Sequence, residues 1–371
     1  MALMVPPYLT TLIHINHATK PDNLFLASSE YFAIACSRNS TEMDNITAPT
    51  NVSEEGMEEH WETHVASLLV IYLSPVLIII GTIGNTLSLI VMQTKRFKSS
   101  AASVVLSSLA VSDTALLLVS LLRTWIKELS GIKLRHLHGI ACKTSAFLSS
   151  LFAHLSSQFV MVLTLERSIS VFFPLHSSQL CSRRRMKIAV AAVTTLVAAV
   201  NSPLFVITDL RHWTIGGTEF TMCIGARGYE AIYALEWMWV DFVLASLLPS
   251  LVLLIANPCI VLRLYLSGKA TGQRPQRASI TRTLLIVSVC FVLLTSPSCI
   301  QFIMLASSFM TKTSAKQDAQ RQLIQEITSL LYFTNSAINF FLYCLSGSKF
   351  KNGLRDVLGL KNSQQQTNNR L

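Results

Sequence analysis

With 371 residues, 51% of them hydrophobic and only 13% charged, the chain has too little charge to cover a water-exposed globule; an average soluble domain carries about 25%. A mean hydropathy of +0.48 points instead to lipid as the solvent. The formal net charge of +10 invites a nucleic-acid reading, but the excess sits in short connections between apolar runs, which argues against it.

In chain order, residues 1–64 come first as a polar tail without helical periodicity. Three glycosylation sequons, at Asn39, Asn45 and Asn51, place that tail on the lumenal and then extracellular side. No basic stretch followed by an apolar core opens the chain, so a cleaved signal peptide is not expected. Met43 begins the run Met43-Asp44-Asn45-Ile46-Thr47, a natural start, and residues 1–42 read as an upstream extension or a gene-model artefact. Apolar stretches of membrane-spanning length, about 20 residues, then recur near 66–93, 102–125, 139–171, 186–208, 233–264, 280–308 and 322–345. A short amphipathic helix is expected over 347–358, with Phe350, Leu354 and Val357 on one face and Lys349, Lys351 and Arg355 off it. The expected division is 1–64 tail, 65–346 membrane domain, and 347–371 surface helix and tail.

Charge sets the expected orientation. One set of connections holds Lys95, Arg96 and Lys98, then Arg183, Arg184, Arg185 and Lys187, then Arg263, Lys269, Arg274, Arg277 and Arg282, with no acidic residue among them. The opposite set mixes signs, as in Asp209, Arg211, Glu219, Arg227 and Glu230. The basic loops are therefore expected inside, the N-terminus outside and the C-terminus in the cytoplasm of a plasma-membrane protein.

Ionisable residues within a span are costly and usually carry a role. Four stand out: Asp113, Glu166, Arg167 and Asp241. They stand in recognisable surroundings. Gly84-Asn85 lies on the first span, Leu109-Ala110-Val111-Ser112-Asp113 on the second, and Leu165-Glu166-Arg167-Ser168 at the end of the third, followed by Pro174-Leu175. Pro249 marks the fifth, Phe291 and Pro297 the sixth, and Asn335 through Tyr343 the seventh. The ordered set resembles rhodopsin-like G-protein-coupled receptors across the membrane domain. The Asn335–Tyr343 string, Asn-Phe-Phe-Leu-Tyr in place of the commoner Asn-Pro-x-x-Tyr, and Thr295-Ser296-Pro297 resemble invertebrate FMRFamide-type neuropeptide receptors. Thr295 stands where the family commonly carries a tryptophan, and the fourth span lacks its usual one.

The resemblance implies an all-α, seven-helix membrane bundle with a surface helix and no catalytic centre. Asp113, Ser156, Asn335 and Asn339 match the family's sodium pocket; the alternative is a hydrogen-bonded polar core around a protonated Asp113. Glu166 would hold Arg167 at rest and release it toward a G protein, with Tyr343, Phe291 and Pro297 taking part in activation. Arg277 stands where many relatives carry an acidic partner, so Glu166 is expected to hold alone. Cys142 and Cys223 would form a disulfide over the ligand pocket, leaving Cys36 unpaired and Cys344 unmodified. Ser149, in place of the aspartate of amine receptors, argues against a monoamine, and the seventh span lacks an opsin's lysine. The pocket mouth would offer Asp241 first, then Glu236, Gln301, Arg123, Trp125, Gln325 and Glu326, acidic groups suited to an arginine near an amidated peptide terminus. The expected partners are a peptide, a heterotrimeric G protein, arrestin and membrane lipids, not nucleic acid. The rivals are a chemosensory or lipid-sensing receptor of this fold, and a seven-helix transporter or channel; the inverted repeats and broken helices common in transporters are not evident.

Overall fold

The computed structural model describes residues 60–215, 218–271, 285–298, 314–346 and 348–359. Its helices are α1 (Trp61–Gln93), α2 (Ala101–Ser130), α3 (Gly139–Phe172), α4 (Arg183–Ile207), α5 (Ile232–Leu266), α6 (Leu285–Ser298), α7 (Ala315–Ser346) and α8 (Ser348–Val357). Helices α1 to α5 are long and apolar enough to cross a membrane, and the described part of α6 is apolar but shorter. The first helix shows how lipid as solvent sorts the side chains. On α1, Tyr72, Val76, Ile79 and Ile83 face outward, whereas Ser74, Gly81, Gly84, Asn85 and Ser88 are buried. Lipid tails satisfy the first set, and close helix packing needs the second.

Local sequence fixes three of the helix ends. The Ser182 hydroxyl accepts from Arg185 N at the start of α4, and the His138 ring accepts from Ile140 N at the start of α3, both as N-caps. Gly131, with φ of 72°, ends α2 in the left-handed region and donates its N–H to Lys127 O at 2.9 Å. Among the described residues, three wider π turns interrupt the α-helical spacing, at Leu117–Leu121 in α2 and at Ile232–Glu236 and Val243–Leu247 in α5. The last ends just before Pro249. The carbonyl of Leu244, within that turn, accepts from Gln158 Nε2 of α3 at 2.8 Å, tying α5 to α3 where its own ladder is broken.

Helices α1, α2 and α7 meet at Gly81, where a side chain would run into Leu117 of α2 and Ala337 of α7. Gly81→Val should therefore cost about 1–3 kcal/mol of packing, read as a lowered melting temperature of the detergent-purified protein. A side chain at Gly84 would likewise meet Phe340.

The connection between α4 and α5 departs from a purely helical expectation. It is an antiparallel hairpin of β1 (Thr208–Ile215) and β2 (Thr218–Gly225), in register from Thr208 opposite Gly225 to Ile215 opposite Thr218. The signal was available: Gly216-Gly217 between two runs of threonine, isoleucine and aromatic residues is a hairpin pattern. Arg211 of β1 pairs with Glu230 at 2.7 Å, and Glu230 also accepts from Gly228 N. These bonds fasten the hairpin to the start of α5.

At the other end of the bundle, α8 buries Phe350 against Phe97, Phe340 and Tyr343, with ring centroids 6.4, 5.8 and 5.5 Å away. Leu354 and Val357 pack on the same cluster. The three apolar residues expected to share a face thus do so.

Candidate functional site

Polar side chains cluster at three depths in the bundle. In the middle, Asp113 of α2 is fully buried and accepts from Ser156 Oγ at 2.5 Å and from Asn339 Nδ2 at 2.8 Å. The Ser336 hydroxyl is a further neighbour of the carboxylate, and Asn85 of α1 donates to Ser336 O at 3.1 Å. Asn335, expected in this set, is buried but makes none of these bonds. The helical period explains the difference. Tyr332, Ser336, Asn339 and Tyr343 follow at intervals of four, three and four residues and share one face of α7, whereas Asn335 is rotated about 100° away.

The residues of this cluster fit a sodium ion. Asn339 gives its amide N–H to Asp113, which leaves its buried Oδ1 without a partner beside the carboxylate and the Ser156 hydroxyl. Among the described residues, no three His, Cys, Asp or Glu side chains converge. One carboxylate with neutral oxygens suits a small, hard monovalent cation better than a transition metal.

At the α8 end, Arg167 Nε stands 2.6 Å from Glu166 Oε2, and both side chains are largely buried. Ser170 Oγ donates to the other Glu166 oxygen at 3.4 Å. One turn earlier, Thr164 and Ser288 bring their hydroxyls within 3.2 Å, a buried polar link between α3 and α6. Arg277 lies outside the described residues.

Phe291 is buried in α6. Thr295 donates to its carbonyl at 2.8 Å, and Ser296 to that of Leu293 at 3.5 Å. Pro297 has no N–H for the Leu293 carbonyl, so the serine partly satisfies the bond that the proline removes. In α7, Phe340 stands where the commoner motif has proline, and the helix runs unbroken from Ala315 to Ser346.

The third cluster lies toward the hairpin. Cys142 at the start of α3 is bonded to Cys223 of β2, so the hairpin is tied across the mouth of the bundle. Beneath it, Asp241 of α5 is not alone: His154 Nε2 of α3 stands 3.0 Å from Asp241 Oδ1. Sequence reasoning missed His154, although it is an ionisable residue inside a span and the same test that selected Asp241 would have found it.

The remaining pocket candidates scatter. Trp125 gives its indole N–H to Ile71 O at 3.0 Å and so fastens α2 to α1. Arg123, Gln325 and Glu326 are half-buried and Glu236 is exposed. Glu326 lies in the field of Lys127 and Glu128 of α2, and Glu128 is itself held by Ser67 and Lys127. Gln301 lies outside the described residues, as do Asn39, Asn45 and Asn51.

Comparison with known proteins decides what this architecture is. The family described as "7 transmembrane receptor (rhodopsin family)" matches residues 84–343. This chain belongs to the rhodopsin family of seven-transmembrane receptors. The receptor is 25% identical over 312 residues to galanin receptor type 2 of Homo sapiens, covering 83% of this chain and 76% of that protein. It is 26% identical over 290 residues to the FMRFamide receptor of Drosophila melanogaster, spanning 74% of this chain but only 50% of that receptor. The allatostatin-A receptor of Bombyx mori is 22% identical over 287 residues, 76% of each chain. The rhodopsin-family receptor is thus a multi-pass membrane protein of signalling, not an enzyme.

Proposed function

We propose that this receptor is activated by an extracellular neuropeptide, of the amidated Arg-Phe type, and activates a heterotrimeric G protein. The observation that carries this reading is the ligand class in the relatives' names: galanin, FMRFamide and allatostatin-A are all peptides. The half-exposed Asp241 beneath the disulfide-tied hairpin supports it, as a carboxylate placed to meet a peptide cation. The hairpin end faces outward, in the plasma membrane, and the Arg167 end faces the cytoplasm. The basic residues Lys95, Arg96 and Arg183–Arg185 at the Arg167 end support that orientation. So does a disulfide at the other end, which an oxidising exterior favours.

Agonist binding shifts a pre-existing equilibrium and opens the α3–α6 contact around Arg167, where the G protein and then arrestin dock among membrane lipids. Second-messenger measurements on cells expressing the receptor, against a panel of amidated neuropeptides, test this. A response to Arg-Phe-amide peptides that Asp241→Asn weakens by about tenfold or more, 1.4 kcal/mol, is the expected result. Silence across the panel with normal surface expression would transfer the reading to small chemosensory or lipid ligands.

Sodium acts as an allosteric inhibitor at Asp113, Ser156 and Asn339, because a cation held by the carboxylate favours the closed arrangement. Agonist affinity should fall as sodium replaces choline at constant ionic strength, and Asp113→Asn should remove that dependence. An equal sodium effect in the variant would eliminate the site.

A further inference from the structure

Asp241 sits at the end of a relay that the receptor fold alone does not require. Asn201 of α4 is fully buried, and its Nδ2 stands 2.8 Å from Val197 O and 3.0 Å from His154 Nδ1. The carbonyl accepts only, so the amide must present its nitrogen there. Its second N–H then faces His154 Nδ1, which has to be the accepting nitrogen of the ring. The imidazole proton belongs on Nε2, the atom 3.0 Å from Asp241 Oδ1. An imidazolium would set N–H against N–H at Asn201, so the geometry favours the neutral ring. His154 Nε2 and Asp241 Oδ1 are thus brought within 3.0 Å of each other, each buried and without another hydrogen-bond partner.

The exposure of the two partners differs in an informative way. The His154 side chain is 1% exposed and that of Asp241 is 45% exposed. A carboxylate left facing hydrocarbon would cost several kcal/mol, so the exposed part of Asp241 calls for a cationic partner.

We propose that Asp241 is the cation-recognising group of the ligand site, and that His154 and Asn201 are its positioning residues. The ligand feature it takes is a guanidinium or ammonium group; this rests on the receptor reading above but not on which peptide proves to be the agonist. The net charge of the triad is −1, all of it on Asp241. His154 Nε2 stands 3.0 Å from one carboxylate oxygen, and the other is left for the incoming cation.

The test uses the full-length receptor in nanodiscs with ¹⁵N-labelled histidine, the His154 signal being the one lost in His154→Gln. Two probes are compared: the dipeptide arginyl-phenylalanine amide and its neutral isostere citrullinyl-phenylalanine amide. The expected wild-type signal is the Nε2-protonated tautomer at neutral pH. The arginyl probe should shift it and bind at least about tenfold more tightly than the citrullinyl probe. That preference should disappear in Asp241→Asn and His154→Ala and return in His154→Gln, whose amide N–H can replace Nε2–H. An imidazolium or an Nδ1-protonated ring in the wild type would overturn the positioning roles, and those measurements need no variant to fold. Equal affinity for the two probes, or a signal that neither moves, would overturn the cation site. A silent neuropeptide panel alongside an arginyl-specific shift would remove the neuropeptide reading and leave this site standing.

Discussion

Arg167→Ala should leave agonist affinity close to wild type and abolish agonist-driven nucleotide exchange on the G protein. The guanidinium is committed to Glu166 at 2.6 Å and lies at the end of α3, far along the helix from His154 and the hairpin. Its loss therefore removes no contact at the ligand end. The α3–α6 link nearest to it is the Thr164–Ser288 hydroxyl pair, a neutral bond of about 1 kcal/mol. Radioligand binding paired with GTPγS exchange measures both quantities on the same membranes. Preserved exchange would show that the Glu166–Arg167 pair is only an interfacial ion pair.

Cys142→Ser should be the most damaging change at the opposite end. The disulfide closes 81 residues of sequence and joins α3 to β2, a closure worth about 4 kcal/mol by chain entropy. Without it, the hairpin keeps Arg211–Glu230 and the weaker Lys143–Asp209 pair at 3.6 Å. The latter is exposed and contributes little. Surface expression and agonist binding should fall together, and Cys223→Ser should match Cys142→Ser, since each breaks the same bond. Different phenotypes for the two would indicate that one cysteine acts outside the disulfide.

Much of this was legible in the residues because lipid imposes a simple rule: about 20 apolar residues per span, with polar groups turned inward. That rule located α1 to α5, and charge placement together with ordered motifs supplied the family. What was not legible depended on direction around a helix rather than position along it. Asn335 belongs to the expected motif and is buried, yet Ser336 takes the face toward Asp113. Trp125 carries an aromatic ring to the pocket level, yet its indole N–H is spent on α1. The Asn201–His154–Asp241 relay joins three helices across separations that no local pattern encodes. The hairpin is a different case, because its signal, Gly216-Gly217 between two β-prone runs, is local.

The wide turns in α2 and α5 bear on which length changes the chain can absorb. A π turn amounts to one extra residue folded into an α-helix. Removing one residue from Val243–Leu247 would restore ordinary spacing and leave Asp241 and Pro249 on their present faces. Removing one residue anywhere else between them would rotate everything on one side by about 100° and swing Asp241 away from His154. Homologues that differ by a single residue in this stretch are thus expected to place the gap inside the wide turn, and an alignment that forces it elsewhere would match the wrong side chains across the ligand site.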